Sequence, residues 1–384
     1  MEKIVIKKIQ SVNSCCSPQK SSEAHTSNAC CSSKEGHPSW VTGMITTPAG
    51  TVKKVSSHVS SNDIWGMIKC RISAFRNNYT ISPGLYAIGE PTKDSDIFVT
   101  ANYKMSFDLL RRELAGLNAW ILVLDTKGIN VWCAAGKGTF GTNELIKRIT
   151  EAKLDALVNH RRIILPQLGA VGVTASIVQK KTGFRVLFGP VRAEDIPAYI
   201  NNGYKKTPEM STVQFSLIDR LILTPIEINP FMKKYLSYAA FILLIFGLQP
   251  SGILFQQAWS GGLPFLTLGL VSIISGAFLT PVLLPFIPFR SFAIKGWIMG
   301  LASVFFATQL ILPLANPFLI AAAFMFFPAV SSYIALQFTG ATTFTGISGV
   351  KRELKFSIPL YFAATGISLV LIILFKIKEM TNVL

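Results

Sequence analysis

The feature that most constrains this chain is a long stretch without charge: the 55 residues between Lys234 and Arg290 contain no Asp, Glu, Lys or Arg. A helix needs about 20 consecutive, mostly apolar residues to cross the hydrocarbon core of a bilayer. The second half of the sequence offers five such stretches, and none has an amphipathic period. They favour transmembrane helices over an unusually apolar soluble domain, at 235–255, 263–286, 292–312, 317–338 and 356–376.

The charge of the chain is concentrated before this boundary. Residues 1–234 hold 30 of the 37 basic and 18 of the 20 acidic residues of a 384-residue chain whose net charge is +17. A basic excess suggests nucleic acid or an anionic membrane as a neighbour. Because the head has no folded nucleic-acid-binding motif, we expect the membrane and no nucleic acid. The predicted division is a flexible Cys- and Ser-rich segment (1–61), an α/β domain (62–219), a juxtamembrane linker (220–234) and a transmembrane helical domain of about five spans (235–384).

Basic residues near the spans predict the orientation of the chain, because they stay on the cytoplasmic side. The loops after the first and third spans have none, and the polar N-terminus is not a secretory signal. We therefore expect a multi-pass protein of the inner membrane, in contact with lipid, with its head in the cytoplasm. No Asp, Glu or His lies inside a predicted span, which favours an anchor over a transport path. The basic clusters are Lys233 and Lys234; Arg290 and Lys295; and Lys351, Arg352 and Lys355.

Strand and helix signals alternate in the head from about residue 62. This order predicts a Rossmann-like, doubly wound and mostly parallel sheet. Ligands of such sheets bind beyond the carboxyl ends of the strands. The predicted strands are 85–88, 97–100, 119–124, 163–165 and 184–188, and the predicted helices lie near 104–117, 142–160, 172–181 and 193–201.

Two cysteine pairs occur in the Ser-rich stretch 11–39: Cys15 with Cys16, and Cys30 with Cys31. Such a composition is typical of a flexible tail. Thiolates also prefer soft metal ions, so a soft-metal site is the second interpretation. Disulfides are not expected on the cytoplasmic side of a membrane.

Glycines are concentrated after the third predicted strand, in the segment Asn130-Val-Trp-Cys-Ala-Ala-Gly-Lys-Gly-Thr-Phe-Gly141. Gly136, Gly138 and Gly141 have the G-x-G-x-x-G spacing of a dinucleotide-binding loop. That loop also needs an acidic residue at the end of the next strand to bind a ribose, and Leu165-Pro-Gln167 stands there instead. The glycines predict that the backbone lies close to a large planar or anionic ligand.

Cys133 is the most reactive side chain of this segment. A lone cysteine is usually a small, inert hydrophobe, and this is our interpretation of Cys70. No Ser/His/Asp signature and no histidine pair with zinc-ligand spacing occurs in the sequence. From the residues alone, both the inert and the functional interpretation of Cys133 stay open.

The octet Asn130–Lys137, with Gly138-Thr-Phe-Gly141 after it, closely resembles the signature of the corrinoid protein of microbial mercury methylation. The segment Leu165-Pro-Gln-Leu-Gly-Ala170 also looks like an element of that family. The family joins a soluble corrinoid-binding domain to a C-terminal membrane domain of about five helices. This chain has the same order of parts, so the resemblance extends from about residue 62 to the end.

The resemblance implies a cobalamin-type corrinoid held under a cap helix, with Cys133 as the axial ligand of the cobalt. In the family this motif covers the lower face of the corrinoid. Many other methyl-transferring corrinoid proteins supply a histidine through an Asp-x-His-x-x-Gly pattern, which is absent here. The cofactor-binding residues carried over are Asn130, Val131, Trp132, Cys133, Ala134, Ala135, Gly136, Lys137, Gly138 and Gly141.

The activity implied is methyl transfer to Hg(II), a soft electrophile that must receive the methyl group with its electron pair. That transfer leaves Co(III), which an anionic thiolate stabilises by donating electron density, as it does on haem iron. Return to Co(I) requires electrons, which the family obtains from a small ferredoxin with two [4Fe–4S] clusters. A methyl-folate species is the expected donor by analogy. The pairs Cys15–Cys16 and Cys30–Cys31 are candidates for capturing Hg(II).

Two other functions remain open at this stage. The first keeps the corrinoid but makes the chain a methyl carrier of one-carbon metabolism with another acceptor. The second is a membrane transporter for a soft metal with a sensory head, against which the uncharged spans argue.

Overall fold

The computed structural model describes residues 38–48, 50–310, 316–341 and 347–381. Both cysteine pairs of the N-terminal segment lie outside the described residues, so their metal-binding role stays a prediction. The seven strands of the head are β1 (Val41–Thr47), β2 (Gly50–Val55), β3 (Gly84–Ile88), β4 (Ile97–Ala101), β5 (Ala119–Leu124), β6 (Arg162–Leu165) and β7 (Arg185–Phe188). Its helices are α1 (Ser61–Ile72), α2 (Lys104–Glu113), α3 (Val131–Lys137), α4 (Thr142–Glu151), α5 (Leu154–Leu157), α6 (Ala175–Thr182), α7 (Ile196–Asn201) and α8 (Pro208–Ser211).

The strands form one mixed sheet in the order β1-β2-β3-β5-β4-β6-β7. Strands β5, β4, β6 and β7 are parallel to one another, whereas β3 is antiparallel to β5 and β1 to β2. Every residue of β4 and β5 is buried, and a hydrophobic cluster covers each face of the sheet. The predicted α/β sheet is confirmed, and all five predicted strands are present within one residue at each end.

The strand order places a topological switch point between β4 and β6. The chain passes from β4 to β5 on one side, then returns across β4 to form β6 and β7 on the other. At such a point the two connections leave the sheet in opposite directions, which opens a crevice at the carboxyl ends of the strands. The segment that contains Cys133 begins at this edge, since it follows β5.

The predicted flexible segment 1–61 is wrong for its last third. Residues 41–55 form a β-hairpin, and β2 continues the sheet by pairing in parallel with β3. Val52 and Val55 of this hairpin are buried in the core. The sequence Gly50-Thr-Val-Lys-Lys-Val55 lacks a continuous apolar run, so nothing local marks it as a strand; pairing with β3 stabilises it.

The predicted helix 142–160 is two helices. Lys153 adopts a left-handed backbone (φ +45°) between α4 and α5, and the chain leaves α5 at Val158. The break lets Leu154 and Leu157 enter the core beside the last turn of α4.

The C-terminal half is helical. Its elements are α9 (Leu217–Gly247), β8 (Leu248–Gln249), β9 (Gly252–Ile253), α10 (Phe255–Ile274), a π-helical turn (Ser275–Leu279), α11 (Thr280–Val282), α12 (Phe292–Leu310), α13 (Pro317–Gln337) and α14 (Ile347–Thr381). Within the described residues, four helical stretches are long and apolar enough to cross a membrane: Phe255–Val282, Phe292–Leu310, Pro317–Gly340 and Ser348–Thr381. They correspond to the last four predicted spans.

The first predicted span, 235–255, is not one helix. Helix α9 ends at Gly247, and a short antiparallel hairpin, β8–β9, follows it. The predicted juxtamembrane linker 220–234 is helical and continuous with the residues after it. A capping box starts α9, in which Ser216 and Asp219 exchange hydrogen bonds between side chain and backbone. Pro225 and Pro230 lie inside the helix without ending it.

Helix α9 joins the head to the helical half through polar contacts. The Asn229 side chain donates a hydrogen bond to the carbonyl oxygen of Ile72 at the end of α1 (2.7 Å). On the other side of the head, Arg192 forms an ion pair with Asp219 (2.8 Å). The half of the chain expected to be only an anchor therefore contacts the domain that carries Cys133.

Candidate functional site

Cys133 lies in the first turn of α3, a two-turn helix that we call the cap helix. Asn130 is its N-cap: the Asn130 side-chain oxygen accepts a hydrogen bond from the Cys133 N–H (3.0 Å). Gly138 ends the helix in the left-handed conformation (φ +79°) that glycine adopts without strain. A side chain predicted to contact the cofactor thus also begins the helix that presents the cysteine.

The cap helix has two distinct faces. Val131, Ala134 and Ala135 are buried in the hydrophobic core of the head, at the i, i+3, i+4 spacing of one helical face. Cys133 is half-buried, and Lys137 is exposed. Three of the predicted cofactor-binding residues, Val131, Ala134 and Ala135, therefore fix the helix to the domain, whereas Cys133 lies on its less buried face.

The loop before the cap helix is fixed to the neighbouring strand. The side-chain oxygen of Asn102, directly after β4, accepts hydrogen bonds from the N–H groups of Thr126 and Gly128 (both 3.0 Å). Glu144, in the first turn of α4, accepts one from the Asp125 N–H (2.9 Å). The carboxyl ends of β4 and β5 are thereby held together, and the position of the cap helix is set by the sheet.

The two segments that carry the family resemblance pack against each other. Phe140, just after the cap helix, is fully buried, and a Cβ added to Gly169 would lie 2.5 Å from its ring. A Cβ on Gly172 would lie 2.1 Å from the Phe140 carbonyl oxygen and 3.1 Å from the Ala135 Cα. The segment after β6 thus packs directly against the cap helix and the residues that follow it. Val171, between these contacts, is largely exposed.

Two of the three glycines of the run have roles in the local backbone. Gly138 forms the left-handed helix end, and a Cβ on Gly141 would lie 2.6 Å from the Gly138 carbonyl oxygen, so both serve the local backbone. Gly136 lies inside the cap helix, is exposed, and has open space around a Cβ. Because the run follows a helix and not a strand, it is not a dinucleotide-binding loop.

Cys133 lines two cavities between the head and α9. The larger, of about 540 Å³, is walled by the residues after α1, by the cap helix and by α9; we call it the larger Cys133 cavity. The smaller Cys133 cavity, of about 410 Å³, also includes residues from α1 and from the end of α13. Both are lined by Arg76, Tyr103, Asn130, Cys133 and Ile226.

Sequence reasoning missed every contribution of α9 to this site. Glu227 lines the smaller Cys133 cavity, and Asn229 and Lys233 line the larger. Burial raises the pKa of Glu227, and nearby Arg76 partly opposes that shift. The sequence signal for these residues is a group of polar side chains within the predicted linker 220–234.

A third cavity, of about 280 Å³, lies at the switch point of the sheet. It is lined by Thr100 at the end of β4, Leu165 and Pro166 at the end of β6, and Gly189 and Pro190 after β7. Asn130, Val131 and Trp132 of the cap segment close it. The crevice expected from the strand order is therefore present, next to the half-buried Trp132.

Two other candidates have local roles. Both ring nitrogens of His160 face backbone atoms: Nε2 lies 3.0 Å from the Ser95 carbonyl oxygen and Nδ1 3.4 Å from the Arg162 nitrogen. His160 is thus held as part of the fold. Cys70 is 2% exposed in α1, and burial raises the pKa of its thiol, as expected for an inert thiol. In the described ranges, no three His, Cys, Asp or Glu side chains converge as a metal site would require.

Residues 73–200 match the family model described as CO dehydrogenase/acetyl-CoA synthase delta subunit. The match begins at the end of α1 and ends in α7. It therefore contains the cap helix, the segment packed beneath it and the switch-point cavity. It does not contain α9 or the apolar helices after it.

Curated relatives are similar over the same part of the chain. The acetyl-CoA decarbonylase/synthase complex subunit gamma of Archaeoglobus fulgidus is 30% identical over 131 residues, which is 34% of this chain and 27% of that protein. The subunits gamma of Methanopyrus kandleri (30% over 135 residues, 34% and 29%) and Methanocaldococcus jannaschii (28% over 152 residues, 38% and 31%) are similar. The chain spans less than a third of the length of these relatives.

Proposed function

We propose that this chain is a membrane-anchored, corrinoid-dependent methyltransferase in which Cys133 is the lower axial ligand of the cobalt and Hg(II) accepts the methyl group. The observation that carries this proposal is the position of Cys133. Its half-buried thiol lines two cavities, on a helix whose other face is fixed in the core. A corrinoid methyl carrier is also the reaction class that best fits the similarity to acetyl-CoA decarbonylase/synthase subunits.

The residues around Cys133 fit a large planar cofactor. Gly136 leaves open space one turn beyond the thiol, and the two cavities share Arg76, Cys133 and Ile226 in their linings. No histidine is among the described residues that line the two cavities, and Cys133 is the thiol that lines both. When bound, a methylcorrinoid would supply the methyl group that is transferred.

The protein contributes position and charge. The Asn130 side chain accepts a hydrogen bond from the Cys133 N–H and so fixes the position of Cys133 at the start of the cap helix. The sulfur can supply an anionic, electron-donating ligand, which favours loss of the methyl group with its electron pair. Helix α9 covers the opposite side of the cavities and reduces access of water to the reacting atoms.

The choice of Hg(II) rests on the thiolate and on the octet Asn130–Lys137. A bound methylcorrinoid would supply the methyl group, and the Cys133 thiolate, as an electron-donating ligand, would favour its loss with the electron pair to a soft cation such as Hg(II). The second candidate is a methyl carrier of one-carbon metabolism, which the names of the curated relatives favour. Both candidates use Cys133 in the same place.

One experiment separates these candidates. Full-length protein in detergent is loaded with methylcobalamin, freed of excess corrinoid and mixed with Hg(II) supplied as a thiol complex. We expect methylmercury to form in step with loss of the absorption of the methyl–cobalt bond, faster than with free methylcobalamin at the same concentration. A methyl–cobalt bond that is no more reactive toward Hg(II) than the free cofactor would reject Hg(II) as the acceptor and favour the methyl carrier.

Gly136→Ala tests whether the open face of the cap helix approaches a ligand. Alanine is favoured over glycine by about 1 kcal/mol inside a helix, and the new Cβ meets no atom within 4 Å. We therefore expect the free protein to be unchanged or slightly more stable, measured by hydrogen exchange of the cap helix, while corrinoid binding weakens. Gly172→Ala is the contrasting variant: its Cβ would collide with backbone, so it should destabilise the cap helix. Unimpaired corrinoid binding by Gly136→Ala would mean that the ligand does not approach this face.

A further inference from the structure

Three elements distant in sequence each place one cation at the larger Cys133 cavity. Arg76 follows α1, Lys137 ends the cap helix, and Lys233 lies on α9. None of the described residues that line this cavity is acidic. The three side chains therefore give the cavity a positive charge directly beside the Cys133 thiol.

These cations have no ion-pair partners within the described part of the chain. Two carboxylates line the smaller Cys133 cavity, which shares Arg76 with the larger. One of them, Asp219, is already paired with Arg192 and bonded to the backbone of Ser216. The other, Glu227, lies near Arg76 in the smaller cavity, which neither Lys137 nor Lys233 lines. Because no described carboxylate lines the larger cavity, its lining keeps a net positive charge.

The walls of the cavity are held in place. Asn229 of α9 donates a hydrogen bond to Ile72 at the end of α1, and the cap helix is fixed by the core. Charges that converge on a fixed cavity raise the local concentration of oppositely charged ligands. Lysine, arginine and amide N–H groups are also the donors that bind carboxylate and phosphate groups.

We propose that the larger Cys133 cavity binds an anion that bears carboxylate or phosphate groups, held by Arg76, Lys137 and Lys233. The site is independent of the proposed function, but the identity of its anion rests on it. Two sources have this chemistry: the phosphodiester of a nucleotide-bearing corrinoid, and an Hg(II) complex with a carboxylate-bearing thiol. In the second case, the methyl acceptor would arrive as an anion and not as the free cation.

The first test uses full-length protein without corrinoid. Cys133 is alkylated by anionic iodoacetate or by neutral iodoacetamide; in both reactions the thiolate sulfur bonds to the CH2 carbon and iodide leaves. Both rates are measured on the Cys133 peptide by mass spectrometry. Their ratio is compared between variants, because a change in the reactivity of the thiol alters both rates equally. We expect Lys233→Gln and Arg76→Gln each to lower this ratio about threefold or more, and high salt to lower the wild-type ratio.

Lys234→Gln is the matched control. Lys234 is the next residue of α9 but lines a different groove, beside Phe231 and Tyr235. It should leave the ratio unchanged. Equal ratios in wild type, Lys233→Gln and Arg76→Gln would overturn the proposal, and so would an equal fall in Lys234→Gln, since the effect would then be one of overall charge.

A second test identifies the anion. If it is the cofactor phosphate, Lys233→Gln weakens binding of cobalamin and not of cobinamide, which lacks the nucleotide. If the anion is the Hg(II) complex, Lys233→Gln leaves corrinoid binding unchanged. The same variant then slows methylation of Hg(II) bound to anionic mercaptosuccinate but not of Hg(II) bound to neutral mercaptoethanol. No response in either arm would overturn a role for this site in turnover. If no methylmercury forms with either complex, Hg(II) is rejected as the acceptor. The anion site is still tested in that case, because the alkylation ratio and corrinoid binding do not depend on methyl transfer.

Discussion

Replacing Cys133 by alanine is expected to remove the proposed thiolate ligand and to lower the proposed methyl transfer to Hg(II) at least about 100-fold, since changes to residues that only support a metal ligand already cost about 10–100-fold. The variant should fold normally, because Cys133 lies on the open face of the cap helix and outside the hydrophobic core. The measurement is the ultraviolet–visible spectrum of bound corrinoid beside the rate of methylmercury formation. The axial absorption should change together with the rate.

Two further variants make this result specific. Cys70→Ala removes the other described thiol, which lines the smaller Cys133 cavity but is only 2% exposed in α1, and should leave the axial spectrum unchanged. Cys133→His should retain part of the activity, because imidazole also binds cobalt but donates less charge. Wild-type activity and an unchanged spectrum in Cys133→Ala would reject the ligand assignment.

The second large effect is expected in the head, where four charged side chains are buried together. Asp108 of α2 accepts hydrogen bonds from Lys104 (2.7 Å) and Arg111 (2.8 Å), and Asp63 of α1 accepts from the same two cations (both 2.8 Å). All four are at most 6% exposed. Asp108→Ala leaves two cations with one carboxylate, and removing one partner of a buried ion pair costs about 3–5 kcal/mol.

The measurement is hydrogen exchange of the α1 and α2 peptides in the full-length protein. Because α1 leads into the wall of both Cys133 cavities, Asp108→Ala should also weaken corrinoid binding. Lys147→Gln, which breaks an exposed pair with Glu151, should cost less than about 1 kcal/mol and is the control. Equal protection of α1 and α2 in wild type and Asp108→Ala would mean that the buried pairs contribute nothing net.

The same cluster predicts a pH dependence. Burial alone would raise the pKa of Asp63, but hydrogen bonds from Lys104 and Ser60 lower it from 3.8 to about 2. Its contribution, about 2 kcal/mol, is complete above the unfolded value and is lost as the pH falls from about 4 to about 2. Exchange of α1 should therefore accelerate in this window, and Asp63→Asn should remove the acceleration.

Local sequence was sufficient to predict the elements whose own residues have the apolar pattern of a strand or a helix. The run Ala119–Leu124 is apolar at every position and forms a fully buried strand. The cap helix was absent from the helices predicted by local pattern and was expected only from the family resemblance, although its N-cap at Asn130 and its left-handed end at Gly138 are local features. By contrast, β2 contains two lysines and becomes a strand only because β3 offers it a partner.

The sequence by itself determined that this protein has a polar α/β head and an apolar helical half, and that Cys133 follows a buried strand among glycines. These properties depend on apolar periodicity and on contacts between near neighbours. Only the tertiary structure decided what surrounds Cys133. Arg76, Lys137 and Lys233 are far apart in the chain, and they meet because α1, the cap helix and α9 pack together. Packing between distant segments also explains Gly172, since its lack of a side chain matters only where Phe140 and Ala135 lie against it.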